Sequence, residues 1–262
     1  ITDMPLKTED INGFQVCAEK KSDVVNCVTN WVHADQQHCR FLGCLNPHSV
    51  EVAAGDAAFR GALMSADILA PDGIGIVLAS RILGGGIRER VTGMDVFSGV
   101  MSAMNARGGV SCFFLGSTNE TLEKIQARAA EDFPNVKLVG VYSPPFKPEY
   151  DESETSTMIA AVNAAAPDVL WVGLTAPKQE KWISANRDRL NVRFAGAIGA
   201  VFDFYAGNVR RVSPFWQKLG FEWLPRLLQQ PRRLWRRTFL SAPSFLIRTL
   251  RYRRRMNLDN LN

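Results

Sequence analysis

A chain of 262 residues, 46% hydrophobic and 22% charged, is long enough for one large α/β domain or a domain with an appendage, and its composition is not that of a disordered chain. Its net charge of +5 hides a division: segment 208–262 holds 13 of the 31 Lys/Arg and 2 of the 26 Asp/Glu, a net of +11, which leaves −6 on the rest. No apolar run reaches the ~18 residues of a spanning helix, so membrane contact is expected to be peripheral, and the basic tail points to a polyanionic partner such as phospholipid, nucleic acid or pyrophosphate.

Five cysteines (Cys17, Cys27, Cys39, Cys44 and Cys112) are an odd number with no Cys-x-x-Cys pair, which suggests no disulfide framework or zinc site and fits a reducing compartment. His33, His38 and His48 lack metal-ligand spacing; His33 and His38, in a polar stretch, are expected to be solvated. The opening Ile1-Thr2-Asp3-Met4-Pro5 has no basic segment followed by an apolar one, so no signal peptide is expected.

Short β-branched or aromatic runs alternate with helical segments, the pattern of an α/β fold with a largely parallel sheet and flanking helices. With Ser22 as N-cap, Val24, Val25, Val28, Trp31 and Val32 recur at helical spacing. A strand over 39–45 leads into helical sequence through Phe59, Leu63 and Met64, and a short strand over 68–70 ends in the turn Pro71-Asp72-Gly73. Helices over about 75–83 and 94–106 precede a buried strand over 111–115, and Thr118-Asn119-Glu120 opens the next helix. Strands over 136–141, 169–173 and 194–198 complete the series, with helices near 153–165 and 177–186 between them.

The composition shifts near Asn208, dividing the chain into a core, 1–207, and a basic helical C-terminal appendage, 208–262, punctuated by Pro214, Pro225, Pro231 and Pro243. Within 231–240, Leu234, Trp235, Thr238 and Phe239 share one helical face and Arg233, Arg236 and Arg237 the other. Such a helix either lies flat on an anionic bilayer or packs its apolar face on the body. The following run, Phe245-Leu246-Ile247 through Arg251-Tyr252-Arg253-Arg254-Arg255, favours a negatively charged surface. An apolar helical tail equally supports a homo-oligomer.

Three strand ends run into glycine or another small residue: Leu115-Gly116-Ser117, Val172-Gly173-Leu174-Thr175 and Ala197-Ile198-Gly199-Ala200. In open α/β sheets ligands bind at the carboxyl ends of strands, where glycine lets backbone approach phosphate, so together these favour a nucleotide or pyrophosphate ligand. The dinucleotide fingerprint fails, because Gly73-Ile74-Gly75 has Leu78 where its third glycine belongs. Asp72 follows a strand and precedes Gly73, which places a carboxylate at the sheet rim, where it can accept a hydroxyl proton; Pro-Asp-Gly is also ordinary turn chemistry. Asn46, in Cys44-Leu45-Asn46-Pro47, can donate to a sugar hydroxyl or simply mark a turn. Arg90 can meet a diphosphate or lie on the surface. Pro177-Lys178-Gln179-Glu180 opens a helix straight after a strand and faces the same crevice, although Lys and Glu in a first helical turn are also ordinary solvated residues.

Taken in order, these segments resemble the WecG/TagA/CpsF family, the bacterial transferases of glycosyltransferase family 26. The matching stretches are Leu45-Asn46-Pro47, Pro71-Asp72-Gly73-Ile74-Gly75, Glu89-Arg90-Val91-Thr92-Gly93-Met94-Asp95 and Phe114-Leu115-Gly116. They continue with Ala176-Pro177-Lys178-Gln179-Glu180, Gly199-Ala200-Val201-Phe202-Asp203 with Ala206-Gly207, and the run from Gln217 through Trp223-Leu224-Pro225-Arg226-Leu227. The likeness covers roughly 13–246.

The resemblance implies a Rossmann-like catalytic core over 1–207 and a membrane-binding appendage over 208–262. It implies an inverting glycosyltransferase that moves a sugar from a UDP-sugar to a sugar on polyprenyl pyrophosphate, without metal or other cofactor, at the inner face of the cytoplasmic membrane. Asp72 is then the base. Cys44, Asn46, Gln179 and Arg90 surround donor and acceptor sugars, with Arg90 near the diphosphate. Gly116, Gly173, Lys178, Gly199 and Asp203 hold the nucleotide, and Arg226, Arg232 and Arg236 of the appendage meet pyrophosphate or membrane. Cys44 stands where many members carry threonine, Thr175 where glycine is common, and Ser143-Pro144-Pro145-Phe146 replaces a Gly-Tyr-Phe ending. N-acetylmannosamine, its uronic acid and glucose all occur as donors in the family; the missing threonine favours a glucose-like hexose for exopolysaccharide assembly. Two other functions compete: a non-enzymatic nucleic-acid binder using the basic tail, disfavoured because the body is acidic and no nucleic acid is expected, and a nicotinamide-dependent Rossmann enzyme, disfavoured by the missing glycine.

Overall fold

The computed structural model describes residues 6–35, 38–209 and 237–259. The chain opens with a hairpin, β1 (Thr8–Ile11) and β2 (Phe14–Cys17), followed by α1 (Lys21–His33), β3 (Arg40–Leu45), α2 (Pro47–Gly55), α3 (Ala57–Met64) and β4 (Ile68–Pro71). Next come α4 (Ile74–Leu83), α5 (Gly93–Arg107), β5 (Ser111–Gly116), α6 (Asn119–Asp132), β6 (Lys137–Tyr142) and α7 (Glu152–Ala165). The core closes with β7 (Val169–Gly173), α8 (Lys178–Asn186), β8 (Phe194–Ala197) and α9 (Val201–Tyr205), and a last helix, α10 (Ala242–Asp259), lies in the tail. The α/β expectation holds: six strands pair in parallel in the order β4-β3-β8-β7-β5-β6, with helices on both faces.

Continuous apolar strands explain the layering. β7 (Val-Leu-Trp-Val-Gly) is buried along its whole length, as expected of a parallel strand covered on both sides. On one face, Val24, Val28 and Trp31 of α1, Phe97 and Met101 of α5, Leu122 of α6 and Phe202 of α9 pack with Phe114, Trp171 and Phe194 of the sheet. On the other, Met158 of α7 and Trp182 and Ile183 of α8 pack with Phe41, Phe113, Leu170 and Val172. The neighbouring strands β3 and β8 therefore send the chain to opposite faces, since α3 packs beside α8 while α9 lies with α1 and α5. That divergence opens a crevice at their carboxyl ends.

Several boundaries differ from the sequence expectation. The hairpin β1–β2 was not among the expected strands; its turn residues Asn12 and Gly13 have φ of 55° and 84°, the positive values a type I′ turn requires. α1 begins at Lys21, so Ser22 lies inside the helix instead of capping it. The helical stretch after β3 breaks in two because Asp56 takes φ −130° and its side chain accepts from Phe59 N–H, capping α3. His33 is half-buried, not solvated, with a ring nitrogen 2.8 Å from the Thr29 carbonyl; His38 is exposed as expected and meets Arg187.

Of the appendage, Arg226, Arg232 and Arg236 and most of the amphipathic run 231–240 lie outside the described residues. α10 packs on α2 and α4. Phe245, 1% exposed, joins Ile11, Phe14, Leu45, Val50 and Ile76 in one apolar cluster. The buried Asn12 Nδ2 donates to Thr249 Oγ1 at 3.0 Å, tying the hairpin turn to α10. Ser244 and Arg248 both hold Glu51 of α2, at 2.6 and 2.9 Å. The opposite side of α10 leaves Leu246, Ile247 and Leu250 exposed among Arg251, Arg253, Arg254 and Arg255. Phe245→Ala is expected to cost about 3–4 kcal/mol of stability in denaturant titration, because it empties a filled core site. Ile247→Ala, at a position 51% exposed, is expected to change stability by less than about 0.5 kcal/mol.

Candidate active site

A cleft of about 260 Å³ occupies the crevice, its wall built from four strand-to-helix connections and the loop between α4 and α5. Cys44, Asn46 and His48 come from the β3–α2 connection and Asp72 from the turn after β4. Arg90, Thr92 and Asp95 come from the entry to α5, Thr175 to Pro177 with Gln179 and Glu180 from the β7–α8 connection, and Ile198 to Val201 from the β8–α9 connection. Backbone bonds fasten the connections together. Asp72 N–H donates to the Leu45 carbonyl at 2.8 Å, and Val91 N–H to the Pro71 carbonyl at 2.8 Å.

Each functional side chain is set locally. Asn46 caps α2: its Oδ1 accepts from Ser49 N–H at 2.9 Å, which leaves its amide nitrogen as the donor for a ligand. Gly73, at φ 97°, turns the chain from Asp72 into α4. Thr92 and Asp95 form a capping box at α5. Burial works against charge on Asp95, but bonds from Thr92 and the Lys21 ammonium outweigh it and hold the carboxyl below its ordinary range. The Cys44 thiol is pushed well above its ordinary value, first by burial and then by the negative charges of Asp72, Glu180 and Asp95. It is a neutral thiol, not a nucleophile. Thr175 sits at φ 65°, a left-handed conformation costly for a β-branched residue, which is the physical reason glycine suits this position.

Of the residues singled out from the sequence, the cleft brings together Asp72, Cys44, Asn46, Arg90, Gln179 and Gly199. Gly116, Gly173, Lys178 and Asp203 do not line it. A side chain at Gly116 would strike the Gly173 backbone and one at Gly173 the Phe202 ring, so close packing requires glycine at both positions. Lys178 reaches the Lys147 carbonyl between the rings of Phe146 and Tyr150, and burial lowers its pKa. Asp203 is half-buried in α9.

Of the two readings of Glu180, facing the crevice or ordinary solvated, the structure gives the first. Glu180 is 2% exposed, lines the cleft beside Gln179, and burial pushes its carboxyl up to about 7. A lone Glu in a first helical turn carries no mark of this; its burial follows from α8 packing against α3 and the sheet. His48 and Asp95 were also missed as lining residues, although the capping spacing Thr92-x-x-Asp95 is visible in the sequence. His48 Nδ1 lies 3.0 Å from Ser241 Oγ, joining the cleft to the C-terminal segment. Among the described residues no three His, Cys, Asp or Glu side chains are grouped as a metal ion would require.

A family profile described as "Glycosyl transferase WecG/TagA/CpsF family" matches residues 9–258. The chain belongs to this family of glycosyl transferases. Its relatives include an N-acetylglucosaminyldiphosphoundecaprenol N-acetyl-beta-D-mannosaminyltransferase of Bacillus spizizenii, 31% identical over 95% of this chain and 93% of the relative. Proteins of the same description from Bacillus subtilis (29% identical, 84% of this chain and 82% of the relative) and Staphylococcus aureus strain MW2 (26%, 82% and 82%) are also similar.

The state of Glu180 makes a pH prediction. The folded carboxyl keeps its proton up to about pH 7 and the ordinary value is 4.5. Between these values the folded chain therefore binds more protons than the unfolded one, and stability falls as pH rises through that window. The stability of Glu180→Gln relative to wild type is expected to grow by up to roughly 3 kcal/mol between pH 4 and pH 8, read from denaturant midpoints.

Proposed function

We propose that this family member transfers N-acetylmannosamine from a UDP-linked donor to an N-acetylglucosamine carried on a polyprenyl pyrophosphate, with inversion and without a metal ion. The observation that carries the reading is the convergence of Asp72, Asn46, Arg90 and Gln179 on one cleft at the strand ends. The names of the relatives supply the sugar and the acceptor. The glucose donor and exopolysaccharide role expected from Cys44 find no support among them.

In the proposed reaction Asp72 takes the proton of the acceptor hydroxyl as its oxygen bonds to the anomeric carbon, and the bond from that carbon to the diphosphate oxygen breaks. Asn46 donates its amide to a sugar hydroxyl, and Gln179 accepts from another. Arg90 offsets the charge growing on the diphosphate. It is the one Lys or Arg among the described lining residues, so Arg226, Arg232 and Arg236 are proposed to add positive charge from the appendage. Gly116, Gly173, Lys178 and Asp203, outside the cleft but along the same sheet edge, are proposed to serve the nucleoside end. Phe146, 97% exposed beside Lys178, offers that end an aromatic face.

Among the described residues no helix is long and apolar enough to cross a membrane. We propose that the outward side of α10 holds the enzyme peripherally on the anionic inner surface, its apolar side chains entering the headgroup layer and its arginines meeting phosphate.

UDP release from a donor panel, with a polyprenyl-pyrophosphate-linked N-acetylglucosamine acceptor and EDTA present, tests the chemistry. Acceptor-dependent release with UDP-N-acetylmannosamine is expected in wild type. A fall of about 10²–10⁴ is expected in Asp72→Asn. Release unchanged by the mutation would remove Asp72 as base, and release abolished by EDTA would remove metal independence. Replacing Arg253, Arg254 and Arg255 by alanine is expected to weaken co-sedimentation with anionic vesicles by roughly 100-fold, at about 1 kcal/mol per charge.

A further inference from the structure

Two oxygens in the wall of the cleft have no partner. Gln179 Nε2 donates to Glu180 Oε1 at 2.9 Å, which pins the carboxamide and leaves Gln179 Oε1 as its spare group. Gln179 Oε1 and Glu180 Oε2 are both buried without a hydrogen bond, in residues only 4% and 2% exposed. Buried polar atoms are normally satisfied, and two unsatisfied neighbours in the wall of one polar cleft call for a ligand with matching groups.

The surroundings define those groups. Lys181, next along α8, is paired with Asp56 of α3, and Lys178 is held by the Lys147 carbonyl, so neither neutralises Glu180. Across the cleft stand Cys44 of β3, His48 of α2, Asp72 after β4, and Arg90 and Asp95 at the entry to α5. A buried carboxyl without a paired cation among acidic neighbours keeps its proton, in line with the upward displacement already described. Gln179 then offers an acceptor and Glu180 a hydroxyl donor, side by side. Phosphate is a poor match for the pair, because its oxygens would face the lone pairs of Gln179 Oε1. Adjacent hydroxyls of a sugar ring match it, since each hydroxyl both donates and accepts.

We propose that Glu180 is a specificity-determining residue, forming with Gln179 a paired donor–acceptor subsite that reads two neighbouring hydroxyl groups of a pyranose bound beside Asp72. The proposal rests on the glycosyl-transfer reading above and adds to it the role of Glu180. It leaves the ring to be assigned by experiment between the transferred sugar and the acceptor sugar.

The test compares wild type, Glu180→Gln, Glu180→Leu and Gln179→Leu on UDP-N-acetylmannosamine and its monodeoxy analogues, and in a second arm on monodeoxy acceptors. Loss of one hydroxyl is expected to lower kcat/KM about 10- to 100-fold in wild type and in Glu180→Gln, whose amide keeps an acceptor and a donor in place. The same loss is expected to cost Glu180→Leu and Gln179→Leu almost nothing further. Coupling in the donor arm assigns the subsite to the transferred sugar, and coupling in the acceptor arm to the acceptor. Equal deoxy penalties in wild type and Glu180→Leu in both arms would overturn the proposal, since a purely structural glutamate lowers turnover without choosing a hydroxyl. If no donor is turned over, the glycosyl-transfer reading fails on its own. Calorimetric binding of the same donors and acceptors then decides the subsite: a deoxy penalty present in wild type and absent in Glu180→Leu supports it, and equal penalties overturn it.

Discussion

The functional arrangement depends on one backbone hydrogen bond, from the Asp72 N–H to the Leu45 carbonyl at 2.8 Å. It extends the pairing of β3 and β4 one step beyond Leu45↔Pro71, past the point where Pro71 has no N–H to give. The turn that carries Asp72 is thereby locked to the strand end that carries Asn46. The Val91–Pro71 bond then draws in the loop bearing Arg90. Three side chains from separate stretches of the chain are drawn to one cleft through main-chain contacts, which substitution of those side chains leaves in place.

Around that frame the charge is divided by location. The cleft holds three carboxyl groups, on Asp72, Asp95 and Glu180, against Arg90. Arginines crowd the outer side of α10. An acidic pocket suits proton abstraction and neutral sugars, while the departing diphosphate needs positive charge from elsewhere. In the proposed reaction this division of charge becomes a division of labour, in which the body would manage the hydroxyl chemistry and the appendage would contribute cations. Asp95, held ionised by Thr92 and Lys21, and Glu180, whose proton burial favours, show how two carboxyls lining one cleft are pushed in opposite directions.

The parts of the fold legible in the sequence are those whose signal is local. β7 was delimited to the residue by its apolar run, and the start of α6 was marked by its Thr118 cap. Asp72 was placed at the sheet rim by the turn that follows β4. The hairpin β1–β2 was missed because its strands are only four residues long, although Asn12-Gly13 is a strong turn signal. The break at Asp56 was hidden by unbroken helical periodicity on either side. The burial of Glu180 and the place of His48 in the cleft were illegible for a different reason: they come from packing between elements distant in sequence, and nothing in the flanking residues changes when such packing occurs. The glycines at 116 and 173 also meet a packing requirement that the local pattern does not reveal, since a side chain at either would strike neighbouring atoms of the protein.

The bond between Asn12 and Thr249 joins residues 237 positions apart, and Phe245 fills a cluster begun by Ile11 and Phe14. A ribosome delivers the first of these partners long before the second. The hairpin, α2 and α4 therefore wait with an open apolar pocket until α10 emerges, and only then is their side of the molecule sealed. Slow or interrupted translation of the basic tail would leave that pocket unfilled in an otherwise assembled sheet, and such a nascent chain is a natural client for a chaperone.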